Sequence, residues 1–356
     1  MLFVALYFPN WALSQKEKQP NIILIVIDDL NDYTGFLGGH PQVKTPHMDA
    51  LAKEGVVFSN AHTNAPICAP SRASMFTGIY PHVSQNFWFT EWTKNEALKN
   101  SKSIAQYMGD NGYSTYATGK LMHHRVKSEW DEYGIANTFG PYAFNGRKVV
   151  PHPITPKAYL SNKNDELFTS LANVPDVPAD DEFPGYSGWY DASNRKPFEY
   201  VDEDNRDLLN DEQHAKWAVE KIRALEETET DTPFFIAVGF VRPHVPFVAP
   251  KSYFDPYPFK DAVLPKKVKG DWDDIPKRGI NYVTSVNGKM SSTYCLRLAA
   301  TGFSSSYKAV RILPWLLSRF SSIKSSSCKL FTIFKILSTF SCKCFTIEEF
   351  SDERYP

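Results

Sequence analysis

Asn21-Ile22-Ile23-Leu24-Ile25-Val26-Ile27 runs straight into Asp28-Asp29, and this passage decides the fold class. An unbroken aliphatic run suits a strand buried on both faces, as in a parallel sheet covered by helices. Two adjacent carboxylates where such a strand ends are costly unless a cation or hydrogen-bond donors compensate them. Ligands of parallel α/β sheets gather at the carboxyl ends of strands. Asp28 and Asp29 are therefore either a turn or helix cap, or part of a site.

Outward from this strand the chain alternates helix and strand. Thr45-Pro46-His47-Met48-Asp49 has the cap-and-proline start of a helix, which Gly55 ends. Val56 to Phe58 is a second strand candidate. Ser103 to Asp110 reads as a helix stopping near Gly112, and Tyr113 to Ala117 as the strand after it. Residues 145–205 are rich in Pro, Asp and Asn without a clear period, and read as loops over the sheet edge. A helical period returns from Asp211 to Glu226, with Ala215, Ala218, Ile222 and Leu225 on one face. Phe234 to Phe240 is another buried strand. This alternation predicts an α/β fold with a mostly parallel sheet flanked by helices.

The 356 residues suffice for one large α/β domain, or one with a smaller companion. Formal net charge is −1, which gives no reason to expect nucleic acid as a partner. No apolar run reaches the roughly 18 residues of a membrane span. Met1-Leu2-Phe3-Val4-Ala5-Leu6-Tyr7-Phe8 resembles the apolar part of a secretory signal, and Ala12-Leu13-Ser14 a small-residue cleavage site, although no positive charge precedes them. Residues 1–18 are read as a signal-like segment, and the destination as secreted, periplasmic or lysosomal in type. Cys68 is the one cysteine of the first 294 residues, which excludes a core built on disulfides.

Cys68 opens the stretch Cys68-Ala69-Pro70-Ser71-Arg72-Ala73-Ser74-Met75-Phe76-Thr77, closed by Gly78. Pro70 suits a first helical turn and Gly78 a helix stop. A side chain at such a start meets unpaired N–H groups and the positive end of the dipole, with Arg72 close by as an always charged donor. A lone cysteine taken by itself is a small buried hydrophobe. The pattern Cys-x-Pro-Ser-Arg followed by Ala-Ser-x-x-Thr-Gly, however, resembles the signature of type I sulfatases. That resemblance implies an alkaline-phosphatase-like α/β fold and a formylglycine made from Cys68 by a maturation enzyme, its hydrated aldehyde being the nucleophile.

Three further segments carry the resemblance, each with a plain structural use as its alternative. Asp28 and Asp29 are similar to the family's first two metal ligands, with residue 68 as a third, and imply Ca²⁺, or Mg²⁺. Gly119-Lys120-Leu121-Met122-His123 directly follows the Tyr113–Ala117 strand, and its spacing is most similar to the iduronate-2-sulfatase-like branch. Carried over, Lys120 binds a sulfate oxygen and His123 hydrogen-bonds the formylglycine, while neighbouring His124 is expected to be exposed and without a role. Val241-Arg242-Pro243-His244-Val245-Pro246-Phe247 is similar to the same branch. It implies that His244 contacts the sulfate or the leaving oxygen, general-acid work that a histidine's near-neutral pKa suits. Catalytic roles thus fall on Cys68, Arg72, His123 and His244, substrate binding on Lys120 and His244, and metal binding on Asp28, Asp29 and Cys68. The implied substrate is a sulfate ester of a sugar or polysaccharide.

The resemblance spans about residues 20 to 285 and then breaks. The family's later Asp-Asn or Asp-His metal pair and its second lysine have no counterpart in order: Asp204-Asn205 precedes the His244 loop, and no Asp-His occurs. From Ile275 to Ile347 there is no Asp or Glu in 73 residues, against 11 Lys or Arg. Cys295, Cys328, Cys342 and Cys344 all lie there, among serine runs. The chain is read as a signal-like segment 1–18, a catalytic region 19–290, and a basic Ser/Cys-rich tail 291–356 foreign to the family. The tail fits a shifted frame or retained intron, with a segment lying on a membrane as the alternative. The sheet is then incomplete on its C-terminal side, with strand edges bare, a half-built metal shell and weak turnover. Two other readings stay open, a phosphate or phosphonate ester hydrolase of the same superfamily and a non-catalytic remnant that binds sulfated glycans.

Overall fold

The computed structural model describes residues 19–143, 168–171, 188–191, 196–228, 230–244, 247–263, 270, 273–274, 276–277 and 331–337. In chain order the strands are β1 (Ile22–Asp28), β2 (Ser114–Gly119), β3 (Glu132–Ala136), β4 (Tyr142–Ala143), β5 (Phe168–Ser170), β6 (Trp189–Asp191), β7 (Lys196–Pro197), β8 (Phe234–Phe240), β9 (Phe247–Ala249) and β10 (Phe331–Leu337). The α-helices are α1 (Pro46–Glu54), α2 (Cys68–Thr77), α3 (Pro81–Ser84), α4 (Ile104–Asp110) and α5 (Asn210–Glu227). The main sheet has the order β10-β1-β8-β2-β3, and every pairing in it is parallel.

Alternate residues of the two central strands feed two separate cores. Ile23, Ile25 and Ile27 of β1, with Phe234, Ile236, Val238 and Phe240 of β8, pack on the Ala215, Ala218, Val219 and Ile222 face of α5. Leu24 and Val26, with Phe235 and Ala237, meet Ala73 and Phe76 of α2, Ala105 of α4, and the Trp92 and Trp130 rings. The continuous aliphatic run of β1 is thus explained: both faces are covered, each fully buried residue contributing about 1.5 to 3 kcal/mol. Helix α4 starts on a capping box in which Ser103 and Gln106 satisfy each other's backbone N–H.

Three expectations need correction. Val56 to Phe58 forms no strand; Val56 and Phe58 are 83% and 78% exposed, because strand-like residues adopt a strand only where a partner edge is offered. The span 145–205 is not loop throughout. Its described parts include β5, which pairs with β9, and β6 and β7, which join β4 in a small antiparallel sheet. A segment of the tail, β10, lies along β1 from Ile22↔Phe331 to Asp28↔Leu337. The edge of β1 is therefore covered rather than bare. The signal-like residues 1–18 and the four tail cysteines lie outside the described residues. No described helix is long and apolar enough to cross a membrane.

Candidate active site

Three neighbouring strands end level with one another, since Ile27 of β1 pairs with Phe240 and Gly119 of β2 with Gly239. Asp28 closes β1, Lys120 follows β2, and Arg242 to His244 follow β8. Cys68 arrives from the side as the first residue of α2, whose left-handed C-cap Gly78 (φ 74°) ends the helix. The Cys68 sulfur, an Asp28 carboxylate oxygen and a His244 ring nitrogen lie within 4.8 Å of one another. His244 Nε2 is also 3.8 Å from Asp29 Oδ2. Asp29 sits at φ 57°, a left-handed conformation uncommon outside glycine. Such strain is characteristic of positions that a site over-determines.

Behind this cluster is a buried ionic knot. Arg72 Nη2 donates to Asp28 Oδ1 at 2.8 Å, and the Lys120 ammonium pairs with Asp28 Oδ2. Arg72 Nη1 donates to the carbonyls of Lys120 and Leu121, the latter at 2.8 Å, so one guanidinium ties α2 to the end of β2. Burial alone would raise the Asp28 pKa, but the Arg72 and then Lys120 charges hold its carboxyl well below the usual range. Burial, then the Asp28 carboxylate, push the Cys68 thiol up to about 11. As encoded, residue 68 is therefore a neutral thiol at physiological pH and a poor nucleophile.

The two histidines approach differently. His244 packs beside the Phe139 ring at 5.1 Å, and Lys120 Nζ lies 4.7 Å over the same ring. His123 is exposed and sits against Phe89 at 4.9 Å. Partial burial of its ring and then the His124 charge lower its pKa, with Lys120 and Arg72 near enough to add to the effect. His124, expected to be the exposed neighbour, is the half-buried one, with its carbonyl accepting the Trp92 Nε1 proton at 3.2 Å.

Sequence reasoning missed the residues that aim these groups. Asp211, buried at the start of α5, accepts the N–H of Val241 at 2.8 Å and of Arg242 at 2.7 Å. Arg242, also buried, donates to the carbonyls of Phe139 and Gly140. The pair thus fixes both the His244 loop and the ring that His244 and Lys120 share. An Asp in a first helical turn reads locally as a dipole-favoured surface group, so only its burial reveals the role. Gly119 and Gly239 are a second omission. A Cβ on Gly119 would lie 1.9 Å from the Gly239 carbonyl oxygen, and one on Gly239 would lie 2.2 Å from that of Lys120. Two glycines face to face let β2 and β8 close up beneath Lys120.

The sequence pattern of the sulfatase family matches residues 20–301. The chain belongs to the sulfatase family. A sulfatase of Formosa agariphila is 31% identical over 273 residues, covering 75% of this chain and 47% of its own length. Human iduronate 2-sulfatase is 30% identical over 278 residues, covering 72% and 43%. This sulfatase-family chain thus spans about half the length of the curated relatives it matches. Among solved structures, the phosphonate monoester hydrolase of Agrobacterium radiobacter is 18% identical with a TM-score of 0.54, covering 89% of this chain and 62% of its own. A 2-O GAG sulfatase is 16% identical with a TM-score of 0.51, covering 92% and 61%. These likenesses establish the alkaline-phosphatase-like α/β fold.

Proposed function

We propose that this chain carries the nucleophile half of a sulfuric ester hydrolase acting on a sulfated sugar or polysaccharide. The observation that carries the reading is the meeting of Cys68, Asp28 and His244 at one strand-end cleft, with Lys120 and Arg72 supplying positive charge behind it. A thiol held at a pKa of about 11 has little thiolate to offer, so the reading includes conversion of Cys68 to formylglycine by a maturation enzyme. When present, that group supplies a hydrated aldehyde, with one hydroxyl to attack and a second to release sulfate. Lys120 and Arg72 favour a sulfate anion here, and Lys120, freed from Asp28, reaches a sulfate oxygen. In this reading His244 protonates the leaving alcohol, and His123 hydrogen-bonds the formylglycine. Arg242 and Asp211 hold the His244 loop in position.

Asp28, Asp29 and residue 68 form the inner part of a shell that a hard divalent cation would take, Ca²⁺ in preference and Mg²⁺ as the alternative. The donor chemistry fits in part: two carboxylates are in place, while residue 68 offers sulfur until it is oxidised. Both Asp28 oxygens are already engaged by protein cations, so these residues alone hold the ion weakly. Export to an oxidising or lysosomal-type compartment belongs to the same reading.

The test coexpresses the full chain with a formylglycine-generating enzyme and follows residue 68 by peptide mass spectrometry. Conversion, together with sulfate release from an aryl sulfate that Cys68→Ala abolishes, is the expected result. Release of phosphate or phosphonate ester products in preference would move the chain to the neighbouring hydrolase class. Binding of sulfated glycans that survives Cys68→Ala, with no sulfate released by the matured protein, would leave it a binding remnant.

A further inference from the structure

Next to His123, Trp88 and Phe89 are 54% and 43% exposed, and large apolar rings grouped at a surface normally mark a binding site. They stand in a T-shaped pair with centroids 5.3 Å apart, and Phe89 meets the His123 ring at 4.9 Å. The three rings touch in series, Trp88 to Phe89 to His123, and the last of them feels the Lys120 and Arg72 charges. The loop that presents Trp88 and Phe89 is anchored: Trp92 is buried and donates to the His124 carbonyl, and Asn95 Nδ2 donates to the Ser84 carbonyl at 3.0 Å. The His124 ring lies 4.9 Å from His123, and the cationic Arg125 that follows is exposed.

We infer that the Trp88–Phe89 shelf is a saccharide subsite, which stacks the sugar ring next to the one bearing the scissile sulfate. The inference rests on the proposed sulfate-ester reading of the cleft and adds to it the side from which the glycan approaches. An aromatic face suits the apolar C–H face of a pyranose, while a sulfated chain also finds the exposed Arg125 beside the rings. A sulfated oligosaccharide is therefore the occupant that both the rings and the charges fit.

The experiment uses the full, unmatured chain, so that binding is read without turnover. Calorimetry and tryptophan fluorescence compare inorganic sulfate with sulfated hexasaccharides prepared from heparin, chondroitin sulfate and carrageenan. At least one hexasaccharide is expected to bind more tightly than inorganic sulfate. Trp88→Ala should weaken that hexasaccharide roughly tenfold, the scale of one lost aromatic contact, and leave inorganic sulfate unchanged. Phe89→Ala serves as a second variant, with circular dichroism confirming the fold of each. Hexasaccharide affinity that Trp88→Ala does not change would overturn the subsite. So would hexasaccharides that bind no better than inorganic sulfate, an outcome that leaves the cleft reading standing. If neither sulfate nor any hexasaccharide binds, the cleft reading itself fails and the subsite falls with it.

Discussion

Lys120 is buried with its ammonium on Asp28 and above the Phe139 ring, yet the proposed chemistry asks it to hold a sulfate. The two demands are reconciled if a divalent cation and the ammonium compete for the same carboxylate. Like charges a few ångströms apart repel by about 1 to 4 kcal/mol, depending on the local dielectric. Lys120→Gln should therefore tighten Ca²⁺ binding about tenfold while weakening inorganic sulfate, both read by calorimetry on the unmatured chain. Unchanged Ca²⁺ affinity would mean that Asp28 is not a cation ligand. At the same scale, Gly239→Ala places a methyl group against the Lys120 carbonyl. It should destabilise the fold by about 1 to 3 kcal/mol and reduce sulfate binding with it. A denaturation midpoint equal to that of the parent chain would show that β2 and β8 can part without harm.

Helix α5 shows what the amino-acid pattern could and could not convey at the scale of an element. Its apolar face was legible from Ala215, Ala218 and Ile222, because a helical period survives in any context. His214, on the same helix, carries no such signal, yet it is fully buried between Thr118 Oγ1 at 3.1 Å and Asn210 Oδ1 at 2.9 Å. Burial lowers its pKa to about 3, against about 6.5 for an unfolded histidine. Between those values the unfolded chain binds the extra proton, so stability is full above about pH 6.5 and falls as the pH drops toward 3. Urea denaturation of the parent should lose up to about 1.4 kcal/mol per pH unit more than His214→Gln across the window from pH 6.5 to 4.5. Parallel pH profiles for the two proteins would show that His214 is protonated without cost. The strand expected at Val56 to Phe58 failed for the opposite reason. Three strand-forming residues after a helix say nothing of whether a sheet edge is free to receive them.

For the whole molecule, the parallel sheet and the three strand-end motifs were readable in the sequence, because each was a local pattern. The knot of Arg72, Asp28 and Lys120, and the support from Asp211 and Arg242, were not, because they join residues up to 103 positions apart. The same limit applies to the tail, whose composition gave no sign that Phe331–Leu337 lies along β1. That pairing has a consequence for the assembled chain. An uncovered parallel strand as apolar as β1 presents a row of unpaired backbone groups to any other chain. A chain ending at Leu330 should therefore associate as its concentration rises, while the full chain remains a single species in sedimentation velocity. Should the shortened chain sediment as a monomer over the same range, the edge of β1 needs no cover and β10 contributes nothing to solubility. Should it associate and a peptide of residues 331–337 suppress the association, the β1 edge is the surface through which copies meet.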